Sequence, residues 1–382
     1  MLRLGKFREL SFIGSADIIG NAIGAIFWLF ISSQITPEEY GELSYFIGIV
    51  TIASAVALIG SQHTITVYSS KNIRIQSTMY FLSLIFGVVA SIVIMILFYK
   101  IDAVLLLFGF IINVLAIGEL LGKKSFSLYS KHMILQKVLS IILGIGFLYI
   151  FGPEGILFAL ALSYIFFTII IYKGFREYKI DFSLLKNKSK FIINNYVIDI
   201  LIKLNAHLNK FIIVPLLGFG ILGNFTLSLQ IASLGMIFTM IVFKYTMPYD
   251  AQGHENKKLK NITYIVSVGL AFLGVFVAPM IIPIFFPQYI EAIDAIKIVS
   301  ISIVPMTISR MYSSKLLGQE NNIPIALASV VAMIIFIIGI LISSSFYGIT
   351  GLAISYLLSK IGEALYLVIT THSHKNKTMN NV

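Results

Sequence analysis

Residues 334–342 read IIFIIGILI, nine positions without a polar side chain inside a run that opens at Ile323. A transmembrane β-strand would alternate apolar and polar residues over about ten positions, and a soluble amphipathic helix would show a polar face. Neither pattern is present. A helix that crosses a bilayer needs about 20 predominantly apolar residues, and runs of that kind recur along the whole chain. Of 382 residues, 58% are hydrophobic and 12% charged, where water-soluble domains carry about 25% charged residues. The sequence therefore reads as an all-α, polytopic integral membrane protein with no soluble domain left over.

Working outward from that run, twelve spans open near residues 10, 41, 77, 101, 133, 154, 191, 222, 261, 292, 323 and 348. The turns after the odd-numbered spans are short and almost free of base: ITPEEYG, YKID, FGPEG, LLGFGILG, PQYIEAID and SSSFYG. The alternate segments hold most of the 28 Lys and Arg residues, including Arg3, Lys6 and Arg8, Lys71 and Arg74, Lys123, Lys124, Lys131 and Lys137, and Lys257, Lys258 and Lys260. Cytoplasmic loops carry this excess, so both termini are expected in the cytoplasm and the protein in the inner cell membrane. The net charge of +11 then records topology and membrane-lipid contact, not nucleic-acid binding. A cleaved signal peptide is not expected, because the first apolar stretch is long and lacks a small-residue cleavage site.

The basic stretch GFREYKIDFSLLKNKSK, residues 174–190, separates six spans from six. It reads as a surface-lying cytoplasmic linker on an anionic leaflet, with a docking site for a cytoplasmic partner as the alternative. The expected organisation is a six-helix bundle over 1–173, the linker over 174–190, a second bundle over 191–371 and a cytoplasmic tail over 372–382. Shifting the chain by 182 residues superimposes Asp17 on Asp199, Asn21 on Lys203, Gly41 on Gly223 and Ser44 on Thr226. A shift of 196 puts Gly152 and Gly155 on Gly348 and Gly351. Six spans return the chain to its starting side, so the repeats are parallel, and a substrate path is expected between them near the midplane.

Charges in hydrocarbon are costly, so ionisable residues inside spans tend to face a cavity or a partner. Asn195, Asp199, Lys203, His207 and Lys210 are spaced to share one face of the seventh span, which reads as a stripe lining a hydrated path. The alternative is that Asp199 and Lys203 neutralise each other along the helix while Lys210 snorkels outward. Asp17 and Asn21 share a face with Gly14, Gly20 and Gly24; this suits a tight interhelical contact or a cavity wall equally. Arg310, Lys315, Lys360 and Glu363 are further cavity or gating candidates, with membrane anchoring open for the first two and local pairing for the last two. Pro279, Pro283 and Pro287 recur every four residues and predict a bend or an unwound end in the ninth span.

No nucleotide-binding, zinc-hydrolase or nucleophile-elbow motif occurs, and the outer turns are too short for a catalytic domain. There is no cysteine, which excludes disulfides and thiolate chemistry. No catalytic residue, metal site or resident cofactor is expected, and any active transport would draw on an ion gradient, with H+ or Na+ as candidates, on the membrane potential or on downstream consumption of product. Transport by alternating access is the favoured class. A non-transporting scaffold that holds glycosyltransferases at the inner surface is the alternative from another class.

The segments ITPEEYGELSYFIGIVTIASAVALIG, LNAHLNKFIIVPLLGFGILGNFTLSLQIA, YIEAIDAIKIVSISIVPMTISRMYSSKLLGQENNIPIALASVV and YGITGLAISYLLSK resemble, in order and spacing, the Wzx-type polysaccharide flippases of the multidrug/oligosaccharidyl-lipid/polysaccharide (MOP) exporter superfamily. The resemblance covers nearly the whole chain. It implies two six-helix bundles that turn a polyprenyl-pyrophosphate-linked oligosaccharide from the inner to the outer leaflet during O-antigen-like polysaccharide biosynthesis, with a polysaccharide polymerase and glycosyltransferases as partners. By position, Lys203, His207 and Lys210 would receive the anionic pyrophosphate and sugars, and Asp17, Asn21 and Asp199 would contact sugar or couple to an ion. A multidrug or small-metabolite exporter of the same superfamily is the runner-up.

The chain has no native cysteine, so single introduced cysteines report topology directly. Lys179→Cys should react with a membrane-impermeant maleimide only after the cytoplasmic side is exposed, and Glu154→Cys only from outside; the reverse pattern would invert the assigned topology.

Overall fold

The computed structural model describes residues 20–379, apart from Asn187, Gly253, Glu255 and Glu320. The helices, in chain order, are α1 (residues 20–34), α2 (Pro37–Leu58), α3 (Ser61–Ser70), α4 (Gln76–Phe98), α5 (Ile101–Gly122), α6 (Phe126–Phe151), α7 (Gly155–Leu162), α8 (Thr168–Glu177), α9 (Ser183–Lys186), α10 (Ser189–Ala251), α11 (Lys257–Phe276), α12 (Ala278–Phe285), α13 (Ala292–Ile301), α14 (Ile303–Gly318) and α15 (Ile323–Met379). Among the described residues there is no strand. Among the described residues ten helical stretches are long and apolar enough to cross a membrane. One of them, Ser189–Met247, runs for 59 residues but breaks at Gly218 (φ 82°), so it supplies two of the expected spans; α1 is the described part of the first.

Glycines do the turning. Gly348, with φ 51°, breaks α15, and Gly152, with φ 71°, ends α6. These two, paired by the 196-residue shift, share the positive φ that only glycine adopts without penalty, and each opens the last span of its half. The ninth span breaks where α11 gives way to α12 at Val277, which places Pro279 in the first turn of α12, where a missing N–H costs nothing. α6 opens at Phe126, about seven residues earlier than the apolar run suggested, so Lys131 and Lys137 are helix residues and not loop cations. Its polar first two turns hid the start from a reading based on hydrophobicity.

By contact the chain forms two compact units: one holds Tyr45–Leu208 with the described residues up to Phe27, the other Trp28–Ser44 with the described residues from Asn209 onward. In the first, α5 is the central helix, packed by α3, α4, α7 and α8; its Leu106, Leu107, Ile111 and Leu115 are fully buried. α4 instead exposes Ile85, Val88, Val89, Ile92, Val93 and Ile96, the surface a lipid-facing helix presents. Small and hydroxylated residues set the contacts: Thr66 Oγ1 donates to Gly118 O at 3.2 Å, and Ser61 Oγ lies 2.8 Å from Ser83 Oγ. α8 and the segment after it are pinned to α4, with Ser77 Oγ donating to Gly174 O of α8 at 3.0 Å and Asp181 N donating to Thr78 Oγ1 at 2.9 Å.

In the second unit α13 is buried through Ala292, Ala295, Ile296 and Val299 between α11 and α15. Hydroxyl pairs again join helices, Thr239 to Thr307 at 2.9 Å and Thr246 to Ser314 at 3.2 Å. Tyr289 is fully buried and its hydroxyl donates to Ile35 O at 3.2 Å, tying the turn before α2 to the 3₁₀ turn Pro287–Tyr289. The closest approach is between α2 and α10. A methyl group at Gly41 would overlap the carbonyl oxygen of Phe219, and one at Gly223 would overlap that of Pro37. Ser44 and Thr226 then share a hydrogen bond of 3.2 Å, 182 residues apart. Pro37 and Phe219, Gly41 and Gly223, and Ser44 and Thr226 all differ by that same shift, so the contact is reciprocal, as a two-fold relation between the two segments requires.

Gly41→Val and Gly223→Val should each destabilise the purified protein by more than the ~1 kcal/mol typical of single substitutions. Gly146, whose missing Cβ meets nothing within 4 Å, supplies the control: Gly146→Val should leave the thermal unfolding temperature nearly unchanged. Equal losses in all three would remove the contact's special role.

Candidate functional site

The polar stripe of α10 divides between the two units. In the first, Asn195 is half-buried and its Nδ2 donates to Phe191 O at 2.8 Å, one turn back along the helix. Asp199 is not spent on Lys203. Its Oδ1 lies 3.5 Å from Nε2 of His63 on α3. Lys203 is exposed and has no ion pair among the described residues, and His207 is half-buried. In the second unit Lys210 Nζ donates to the backbone oxygen of Ser44 at 2.9 Å.

His63 reaches Asp199 because of Gly60. This residue has φ 67°, and a Cβ there would stand 2.8 Å from Tyr196 N and 2.9 Å from Ile192 O. Only glycine lets the start of α3 lie that close to the α10 backbone. His63 follows one turn later on α3, as Asp199 does on α10, and the two side chains meet. The break between α2 and α3 is visible only in the fold, which is why the sequence did not single out His63.

Residues 20–34 carry Asn21, which is exposed; Asp17 lies outside the described residues. Gly20 and Gly24 face Lys137 of α6: a Cβ at Gly20 would sit 3.7 Å from Lys137 Cγ, and one at Gly24 would sit 4.0 Å from its Nζ. Lys137 is half-buried and has no acidic partner among the described residues, so it is a second such cation in the first unit.

The remaining candidates lie in the second unit. Lys360 Nζ donates to Glu363 Oε2 at 2.9 Å and stands 5.5 Å from the centre of the Tyr356 ring. Arg310 is exposed, stacks over Phe243 at 5.9 Å and is near enough for its charge to act on Lys360. Lys315, five residues on, is half-buried. A more deeply buried ion pair escaped the sequence reading: Lys260 Nζ and Asp250 Oδ2 meet at 2.9 Å, both almost fully buried, and Ser314 Oγ donates to the same carboxylate at 2.6 Å. Such a pair is self-satisfied and joins α10, α11 and α14.

No protein-family model and no curated protein matches the sequence. Solved structures do. An inward-facing multidrug resistance MATE family transporter of the MOP superfamily superposes with a TM-score of 0.69 over 92% of each chain at 18% identity. The outward-facing conformation of a MATE family transporter gives 0.65 over 98% of this chain and 97% of that one, at 17% identity. A MOP superfamily transporter from Pyrococcus furiosus gives 0.64 over 94% and 93%, also at 17% identity. The chain is thus an all-α membrane protein with the twelve-helix fold of the MOP superfamily.

The His63–Asp199 juxtaposition can be checked in the cysteine-free background. His63→Cys combined with Asp199→Cys should be bridged by one mercuric ion, seen as a mass gain, whereas His63→Cys combined with Lys203→Cys should not. Bridging of the second pair alone would refute the arrangement.

Proposed function

We propose that this chain is a flippase that carries a polyprenyl-pyrophosphate-linked oligosaccharide from the inner to the outer leaflet of the cell membrane by alternating access. The observation that carries the reading is the set of cations held in apolar helices without carboxylate partners among the described residues: Lys137 against Gly20 and Gly24, Lys203 exposed, and Lys210 bonded to a carbonyl. Placing a charge in a membrane helix costs about 2.5–3.5 kcal/mol on insertion scales, so an anionic cargo is the partner that offsets it. Lysine meets pyrophosphate as a point charge, without the bidentate geometry of arginine. The acid on the stripe is already engaged, Asp199 with His63, and it is not paired with Lys203, which has no carboxylate partner among the described residues. The Pyrococcus furiosus structure is described as having a binding pocket of reverse polarity that suggests a different function, so this fold accommodates more than one cargo polarity. Proton or sodium coupling through Asp17 or Asp199, and cooperation with a polymerase and glycosyltransferases, belong to the same proposal.

A second reading, ion-coupled export of a drug or small metabolite, draws on the multidrug transporters that share the fold. Depletion of the protein in its native host separates the two. Extracted polyprenyl-linked glycans, weighed by mass spectrometry after treatment with a membrane-impermeant oxidant, should show a complete lipid-linked oligosaccharide accumulating in protected form. Unchanged lipid-linked glycans would sink the flippase reading. Lys203→Gln with Lys210→Gln should cut glycan export by about tenfold or more, as loss of a charge-assisted hydrogen bond of roughly 1.5–3 kcal/mol implies, and should leave export of a cationic dye intact.

A further inference from the structure

At one end of the first unit the turns after α3 and α5 line an open cavity of about 560 Å³ whose walls include Ser69, Arg74, Gln76, Gly122, Lys124 and Tyr178. Its rim is basic. Arg74 and Lys124 are exposed, and neither makes an ion pair among the described residues; Arg74 stacks over Tyr178 at 5.9 Å. Lys123, also on the rim, is engaged: its Nζ lies 2.6 Å from Glu119 Oε1 and 3.1 Å from Glu177 Oε2. Burial alone would lower its pKa, but the hydrogen bond and charge of Glu119, with Glu177 beside it, hold it above the ordinary lysine value. The two carboxylates more than offset Lys123, so the positive charge on the rim is that of Arg74 and Lys124 less the one negative charge left over.

The cavity's inner wall is polar and incompletely satisfied. Gln76 is 3% exposed. Its Nε2 donates to Ser69 Oγ at 2.8 Å, while its Oε1 has no hydrogen-bond partner among the described residues. A buried acceptor left without a donor costs about 1–3 kcal/mol, which a ligand can recover. Ser69, itself buried, accepts the Gln76 bond and keeps its own hydroxyl proton to donate. Gly122 keeps the space clear, since a Cβ there would meet Ser69 Cβ at 2.7 Å. A complementary ligand must be an anion that accepts from Arg74, Lys124 and Ser69 and also offers one donor to Gln76.

We propose that this cavity binds a phosphate group that bears or adjoins a hydroxyl, supplied either by an anionic lipid headgroup or by free phosphate. Its position favours the lipid. α4 begins at Gln76 and α5 ends at Gly122, so the site lies where two membrane helices meet the basic, cytoplasmic side assigned by the loop charges. The proposal does not rest on the flippase reading.

The test uses the full-length protein in detergent, with bound lipid counted by native mass spectrometry. Phosphatidylglycerol, which has both phosphate and hydroxyls, should be retained in preference to phosphatidylcholine. Arg74→Gln with Lys124→Gln should weaken it by about 25-fold, since each basic residue near an anionic surface contributes about 1 kcal/mol, or about fivefold. Gln76→Leu should erase the preference for phosphatidylglycerol over phosphatidylmethanol, which lacks the hydroxyls, without altering thermal unfolding. Inorganic phosphate, titrated alone, forms the other arm: binding lost in the same variants without any lipid preference would assign the site to free phosphate. Affinities unchanged by all three substitutions, or weakened equally by Lys257→Gln with Lys258→Gln elsewhere on the surface, would overturn the proposal.

Discussion

A helix in a bilayer has committed its backbone hydrogen bonds to itself, because lipid offers none in exchange. What it packs against is then decided by side chains alone, and apolar side chains do not distinguish a neighbouring helix from a lipid tail. The rest of this structure depends on that constraint. Where helices meet, they meet through absent side chains, as at Gly41, Gly223, Gly118 and Gly122, or through short hydroxyl bridges such as Ser61 with Ser83 and Thr239 with Thr307. Where they face outward, as along α4, they are apolar and unspecific.

The same constraint explains what could be read from the sequence. Apolar runs exist because lipid demands them, so the spans and the fold class were legible from hydrophobicity. The 182-residue shift was legible through Gly41, Gly223, Ser44 and Thr226 because each fills a steric role that few residues can. His63 was not legible. Its partner Asp199 lies on another helix, and their meeting requires the left-handed Gly60 and its missing Cβ. Lys137 was misread for a different reason: the first two turns of α6 are polar, so the apolar run starts later than the helix. Periodicity locates a helix where it is greasy, not where its hydrogen bonds begin.

Charge in the structure falls into two kinds. One kind is internally settled: Asp250 with Lys260 and Ser314, and Glu119 with Tyr80 and Lys123. Each network joins helices and asks nothing of a ligand. Removing one member would strand a buried charge, which is why such pairs tend to be retained whatever their net worth. The other kind, Lys203, Lys137 and Arg74, has no carboxylate partner among the described residues, and these are the positions where an outside group could complete the electrostatics. Net charge and composition report the sum of the two kinds; only the fold separates them.

The reciprocal contact of Pro37 and Gly41 with Phe219 and Gly223 has a historical consequence. Two segments that meet each other through their own equivalent positions form the interface a symmetric dimer would make from identical chains. A six-helix ancestor that paired in this way would have gained nothing new at this junction when its gene was duplicated and fused. Joining left the two copies free to diverge wherever no such contact held them, and Gly41 and Gly223 mark one place where that freedom stopped.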